Sequence, residues 1–255
     1  LVIVCLSVVA GNGAKHVAFQ IAAMRQKLKR EKKVLVIDFD LESPFLAASF
    51  FDEGESRGVS RLLEQMRSAH FSEDLFLSQV IHTTAGVDVL RGGFVRAMLT
   101  KEYAEHILVL AKRFYDDVLV VVRPSNHQAA SIVSLMQADG VLLVVRNNQA
   151  NLLRLSWVMD YVEMYADTKR KWAVYNYKNR LSHVSISERL VERGYQVAGV
   201  LEFCPSEVDH RHFQRRWSFF SNASVYKRMV QLMFSETSRS LGARWVLKKK
   251  KREGK

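Results

Sequence analysis

Leu1-Val2-Ile3-Val4-Cys5-Leu6-Ser7-Val8-Val9-Ala10-Gly11-Asn12-Gly13-Ala14-Lys15-His16 carries an apolar run into a glycine-containing turn and on towards a helical pattern. Leu1–Val9 is apolar except for Ser7, as expected of a strand covered on both faces. In the turn, Gly11, Gly13 and Ala14 are small enough for successive amides to face an anion. Lys15 and the positive end of a following helix would balance its charge. The strict GxxxxGK[ST] pattern is not met: Ala14 precedes the lysine, His16 follows it, and no glycine stands at the first motif position. On these residues alone, a ligand-free turn joining strand to helix accounts for the segment equally well.

Outward from this turn the pattern alternates. Val17, Ile21, Met24 and Leu28 share one stripe of a helix over 17–30, and Lys33–Asp38 reads as a second strand ending in acid. Helical patterns follow at 58–67, through Tyr103, Ile107, Leu110 and Phe114, at 127–137, through Leu152, Leu155, Met159 and Val162, and through Tyr226, Met229, Val230 and Met233. Strands are predicted at Val87–Leu90, Val118–Val122, Gly140–Val145, Trp172–Tyr175 and Val197–Leu201. Doubly apolar strands separated by helices predict an α/β fold: a single domain with a mostly parallel central β-sheet flanked by helices. Ligands of such sheets bind at the carboxyl ends of the strands, near a topological switch, which directs attention to the loops beginning at Val9, Ile37, Val122, Val145 and Tyr175.

Composition narrows the class. With 255 residues, 48% hydrophobic and 25% charged, the chain can fill a sizeable core and is neither disordered nor collagenous. Its 38 basic against 26 acidic side chains leave a formal charge of +12, which suits an anionic partner without selecting among nucleic acid, acidic lipid and phosphorylated ligand. The only two cysteines, Cys5 and Cys204, lie almost 200 positions apart inside apolar stretches that read as buried strands and make neither a disulfide framework nor a paired metal motif, so a reducing compartment is expected. The opening apolar run lacks the basic flank of a signal peptide, and the start without methionine leads us to expect an excerpt with a domain upstream.

Several segments together resemble the MinD/ParA branch of P-loop ATPases, the deviant Walker group, over about residues 1–235. Ala10-Gly11-Asn12-Gly13-Ala14-Lys15-His16 occupies the place of its KGGxGK[ST] loop, and Val34–Leu41 that of its second strand and DxD switch segment. Gly86–Gly93, Tyr115–Pro124, Ala138–Val145, Val174-Tyr175-Asn176 and Gly199 through Pro205 follow in family order. The resemblance implies a P-loop NTPase fold in which Gly11, Asn12, Gly13, Ala14, Lys15 and His16 hold nucleotide phosphates and Asn176 reads the base. Asp38 and Asp40 are the implied candidates for metal binding and catalysis.

Three positions depart from the pattern: Ala10 stands for the signature lysine, His16 for the magnesium-binding hydroxyl residue, and Val122, followed by Arg123, for the strand-end aspartate. Magnesium prefers oxygen to imidazole, and phosphoryl transfer depends on positioned charge. The expected function is therefore a nucleotide-binding scaffold, similar to the TadZ/CpaE localisation proteins, with weak or absent ATPase activity. It would take ATP or ADP, with Mg²⁺ an open question, and help localise or assemble a pilus, flagellar or division apparatus. Two alternatives stand beside it, an active ATP-dependent positioning or partitioning ATPase and a nonspecific DNA-binding protein of ParA type.

The domain is expected over 1–240, with a basic tail at 241–255. In the tail, Trp245, Val246 and Leu247 beside Lys248–Arg252 suit an anionic membrane surface, nucleic acid or plain solvation. A cytoplasmic place, peripheral on the inner face of the membrane, is expected, with a protein partner and a homodimer as further associations. Cys204, His210 and His212 lack a clear fourth metal ligand, and Ser7, His16 and Asp38 lack the exposed elbow of a hydrolase nucleophile. Arg215–Phe220 mixes cations and aromatics that suit either base stacking or packing, and Asn147-Asn148-Gln149 suits either a ligand loop or a polar turn.

Overall fold

A computed structural model describes residues 1–40, 56–68, 72–93, 99–125, 128–176, 186–202 and 222–235. Alternation along the first strand, β1 (Val2–Ser7), divides the interior into two layers. Val2, Val4 and Leu6 enter one apolar cluster, and Ile3 and Cys5 enter the other. The same division holds in β2 (Val34–Asp38), where Leu35 and Ile37 face the first layer and Val34 and Val36 the second. Short β3 (Ile81–His82) and β4 (Asp88–Leu90) precede three long strands, β5 (Asp117–Val122), β6 (Gly140–Val145) and β7 (Lys171–Asn176), and the sheet closes at β8 (Gln196–Leu201).

Among the described residues the sheet has eight strands in the order β3-β4-β2-β5-β1-β6-β7-β8, all parallel except β3 against β4. This is the mostly parallel, helix-flanked α/β architecture that the sequence predicts. The chain moves from β1 towards one edge through β2 and later departs from β5 towards the other through β6. The turn after β1 thus lies at the topological switch.

Helix α1 (Ala14–Leu28) covers the second layer and starts three residues earlier than the apolar stripe predicts, which brings Lys15 and His16 into its first turn. Its buried face is wide, because a later helix covers it from outside: Tyr226, Met229, Val230 and Met233 of the C-terminal helix share its cluster. Leu28 falls outside that cover and is 38% exposed. Arg25 closes this end, its Nε 2.7 Å from Asp117 Oδ2 and its guanidinium 4.8 Å from the centre of the Phe234 ring.

The first layer is covered by α2 (Val59–Ser68), α3 (Glu73–Gln79), α4 (Lys101–Phe114), α5 (Ala129–Met136), α6 (Gln149–Tyr165) and α7 (Ser187–Glu192). The last helix among the described residues is α8 (Ala223–Phe234). Elements α3, β3 and α7 were not legible as separate pieces in the sequence. Cys5 is a free, buried thiol whose pKa burial pushes up to about 12, so it is inert at neutral pH. No helix among the described residues is long and apolar enough to cross a membrane. Pro205, the Cys204/His210/His212 set, Arg215–Phe220 and the tail 241–255 lie outside the described residues.

Candidate functional site

The turn after β1 is built by backbone geometry before any side chain acts. Val8 N–H still donates to Val144 O at 3.1 Å, then Asn12 N–H turns back to Val9 O at 3.2 Å. Gly11 and Gly13 have φ of 81° and 93°, the left-handed region that glycine enters without strain. Gly13 is constrained twice, since a Cβ there would lie 2.5 Å from Asn176 Nδ2. Ala14 N–H donates to Ser7 Oγ at 3.2 Å, which gives Ser7 a structural place between strand and helix. The first turn of α1 holds no acidic residue, and the positive end of a helix favours a nearby negative charge.

Lys15 leaves this first turn towards the end of β2. Because side chains alternate along β2, Asp38 faces the same layer as α1, and Asp40 reaches the same region from the loop beyond. Lys15 Nζ lies 3.0 Å from Asp38 Oδ2 and 3.4 Å from Asp40 Oδ2. Asp40 N–H donates to Asp38 Oδ1 at 3.1 Å, and Phe39 N–H to Val121 O at 2.9 Å, so the acidic pair is held to β5. Asp38 is fully buried, and burial pushes its carboxyl up to about 6 against the attraction of Lys15. The structure thus joins Lys15, Asp38 and Asp40, three residues more than twenty positions apart at the extremes.

Arg123, the first residue after β5, adds a second cation that the sequence reading did not place in the site. Its Nε is 3.4 Å from Asp40 Oδ1, and its carbonyl accepts Ser131 Oγ–H at 2.7 Å. Arg146, the first residue after β6, donates to Gly11 O at 3.0 Å. Both residues open loops at the carboxyl ends of strands that flank β1, and that position was the available sequence signal. Val122, by contrast, is buried in the layer under α4–α6, on the face opposite Asp38.

Asn12 and Asn176 take places other than simple ligand contacts. Asn12 is buried, and its Nδ2 donates to Val144 O at 3.1 Å and to Asn151 Oδ1 at 2.6 Å. Asn176 Nδ2 donates to Asn12 O at 2.6 Å. Asn151 Nδ2 donates in turn to Asn148 Oδ1 at 2.8 Å, and Asn148 caps α6 by accepting Asn151 N–H. Buried Asn12, Asn151 and Asn176, with Asn148 at the exposed start of α6, therefore form an amide network that fastens the turn to β6, α6 and β7. Asn148 serves that network as a cap, which gives the Asn147–Gln149 segment a structural role.

The donor set does not suit magnesium. The hard ion takes oxygen ligands in near-octahedral geometry, whereas His16 carries an imidazole and Val122 an apolar group. The two carboxylates, Asp38 and Asp40, already face Lys15 and Arg123. Among the described residues, no three His, Cys, Asp or Glu side chains converge as a metal cage. What the arrangement offers is a small-residue turn, a helix N-terminus and cations, a set suited to an anionic oxygen.

No protein-family model matches the chain, and no curated protein matches it in sequence. Solved structures do match in fold. A ParA family ATPase from Chlorobium tepidum TLS superposes with a TM-score of 0.72 at 16% identity, covering 90% of this chain and 96% of that one. A chain of the MinC:MinD cell division protein complex of Aquifex aeolicus gives 0.72 at 17% identity, over 90% and 94% of the two chains. Cobyrinic acid a,c-diamide synthase from Mycobacterium smegmatis, with bound ATP analogue and magnesium, gives 0.61 at 15% identity, over 91% and 93%. At these identities the likeness is one of fold, and it spans nearly the whole chain.

Proposed function

We propose that the chain is an adenine-nucleotide-binding scaffold of MinD/ParA type, with weak or absent ATPase activity, that helps localise or assemble a cellular machine such as a pilus, flagellar or division apparatus. The observation that carries this reading is Lys15 in the first turn of α1, directly behind the Gly11–Gly13 turn and at the topological switch of the sheet. Small residues, a helix N-terminus and a lysine are the parts from which a polyphosphate cradle is built. One structure of the same fold holds an ATP analogue with magnesium, and another comes from a two-protein complex, which supports a nucleotide ligand and a protein partner here.

The weak half of the site is turnover. Phosphoryl transfer needs groups positioned beforehand to stabilise charge as it moves. Ala10 offers a methyl group beside the turn, Val122 is packed into an apolar layer, and His16 supplies no hydroxyl. A nucleotide held under those conditions orders the turn and the Asp38–Asp40 segment without driving a cycle. A TadZ/CpaE-like localisation role is the specific form proposed. Cytoplasmic placement, with the 241–255 tail against an anionic membrane surface, belongs to the same proposal.

Isothermal titration of nucleotide-free protein with ATP and with ADP tests the reading. Binding in the micromolar-to-millimolar range, weakened by Lys15→Ala, is expected. Absence of binding at millimolar ligand, or binding that Lys15→Ala leaves unchanged, would overturn it.

A further inference from the structure

We propose that the polyphosphate of a bound nucleotide is neutralised here by Arg123 together with Lys15, in the place of a divalent cation, so that nucleotide binding does not depend on magnesium. The inference rests on the nucleotide-binding reading above and deepens it by naming the form of the ligand, the metal-free nucleotide.

Two independent features of the site lead to it. The first is that its carboxylates are already spoken for. Asp38 faces Lys15 at 3.0 Å, and Asp40 lies between Lys15 at 3.4 Å and Arg123 at 3.4 Å. Two anions matched by two cations present no net negative charge to attract a hard dication, and the neighbouring His16 and Val122 add no oxygen to complete its coordination. The second is where the second cation stands. Arg123 follows the last residue of β5, and Leu6 of β1 is in register with Val122, so the arginine sits on the strand beside the turn that carries Lys15. Ser131 holds its backbone through the 2.7 Å hydrogen bond to its carbonyl, while its side chain remains 30% exposed.

A guanidinium in that place has properties a metal ion would otherwise supply. It is permanently charged, it presents a planar fork of N–H donors, and it binds phosphate oxygens in pairs. It is also less strongly hydrated than an ammonium, so bringing it against a phosphate costs less desolvation. Lys15 has three N–H donors and Arg123 five, so each can take up a phosphate oxygen while keeping the carboxylate it already faces. A site that uses fixed cations prefers the more highly charged ligand. The metal-free nucleotide therefore binds at least as well as its magnesium complex.

The test is titration of wild-type protein with ATP in excess EDTA and in excess magnesium, repeated with Arg123→Gln and Arg123→Lys, with thermal melts to confirm folding. In wild type, affinity in EDTA is expected to equal or exceed that in magnesium. Loss of a charge-assisted hydrogen bond to phosphate in Arg123→Gln should weaken binding in EDTA by roughly tenfold or more, and Arg123→Lys, which keeps the charge but not the fork, should fall between that variant and wild type. ATP binding that is tenfold or more weaker in EDTA than in magnesium would overturn the inference while leaving the nucleotide-binding reading intact. Unchanged EDTA affinity in a folded Arg123→Gln protein would also overturn it. No binding in either buffer would overturn the underlying reading and the inference with it. If Arg123→Gln does not fold, the wild-type comparison of EDTA with magnesium decides the matter alone.

Discussion

Replacing Asp38 by asparagine should stabilise the nucleotide-free protein at neutral pH and remove part of its pH dependence. Asp38 ends β2 fully buried, and its carboxyl is pushed up from the ordinary 3.8 to about 6, chiefly by burial and against the attraction of Lys15. Between those two values the folded state binds more protons than the unfolded state. Stability therefore falls as pH rises from 3.8 through about 6 and levels off above. At 1.36 kcal/mol per pH unit, the ionised carboxylate costs about 3 kcal/mol at pH 7. Asparagine keeps the shape, has no charge to desolvate and keeps an acceptor for the Asp40 N–H, while its NH2 takes the place of Oδ2 beside Lys15 and so reduces the gain. The attraction of Lys15 is already included in the raised pKa, and Lys15 keeps Asp40 as a partner at 3.4 Å.

The expected gain in Asp38→Asn is roughly 1–3 kcal/mol at pH 7, or about 2–12 °C in melting temperature for a domain of this size. It should shrink as the pH is lowered through about 6 towards 4 and vanish only below the ordinary 3.8, where both states of the wild type are protonated. Urea unfolding of both proteins at intervals from pH 4 to 8 measures the difference, and the difference cancels titration common to both. An Asp38→Asn protein less stable than wild type at pH 7, or a difference independent of pH, would refute the reasoning and show that the pair with Lys15 outweighs burial.

Other perturbations address the turn and the assembly. Gly13→Ala should destabilise by about 1–3 kcal/mol and lower nucleotide affinity, because φ is 93° and the new Cβ would meet Asn176 Nδ2; denaturant melts and titration check both. Asn12→Ala and Asn151→Ala should each cost about 1–3 kcal/mol by stranding buried amide groups, and a double-mutant cycle should return a coupling of at least about 0.5 kcal/mol. Any dimer should persist without nucleotide, since Ala10 stands where the family it resembles has the signature lysine that completes a partner's phosphate site; light scattering with and without ATP would contradict this by finding a strictly ATP-dependent dimer.

Much of the architecture was legible because β1, β5 and β6 are buried on both faces and so spell continuous apolar runs. The pieces that escaped are those whose signal is short or two-sided. Element α3 has seven residues with Phe76 and Gln79 buried, β3 has two residues at an antiparallel edge, and α7 buries Leu190 alone. The start of α1 was misplaced because its first turn is Ala14-Lys15-His16, whose polar residues break the apolar stripe while Gly13 supplies the left-handed entry. Leu28 fits the stripe by spacing yet lies beyond the cover of the C-terminal helix, a fact set by tertiary contact.

In the site, Lys15 and the Asp38/Asp40 pair were legible from the motifs that hold them, and their meeting follows from strand alternation. The roles of Arg123 and Arg146 were not legible. Long side chains choose among partners that only the assembled sheet brings near, and these two found Asp40 and the Gly11 carbonyl. The inward turn of Asn12 was hidden for the same reason, because Val144 and Asn151 come from other elements.

The central claim, that nucleotide is held without being turned over, is tested most directly by a single-turnover experiment. Purified protein in excess over labelled ATP is followed for phosphate release with Mg²⁺ and with Mn²⁺, alone and with acidic liposomes or duplex DNA, and Lys15→Ala serves as the contamination control. The account expects ATP to be retained intact, with phosphate release at background in every condition. Robust release that Lys15→Ala abolishes would contradict it and make the chain a working positioning ATPase.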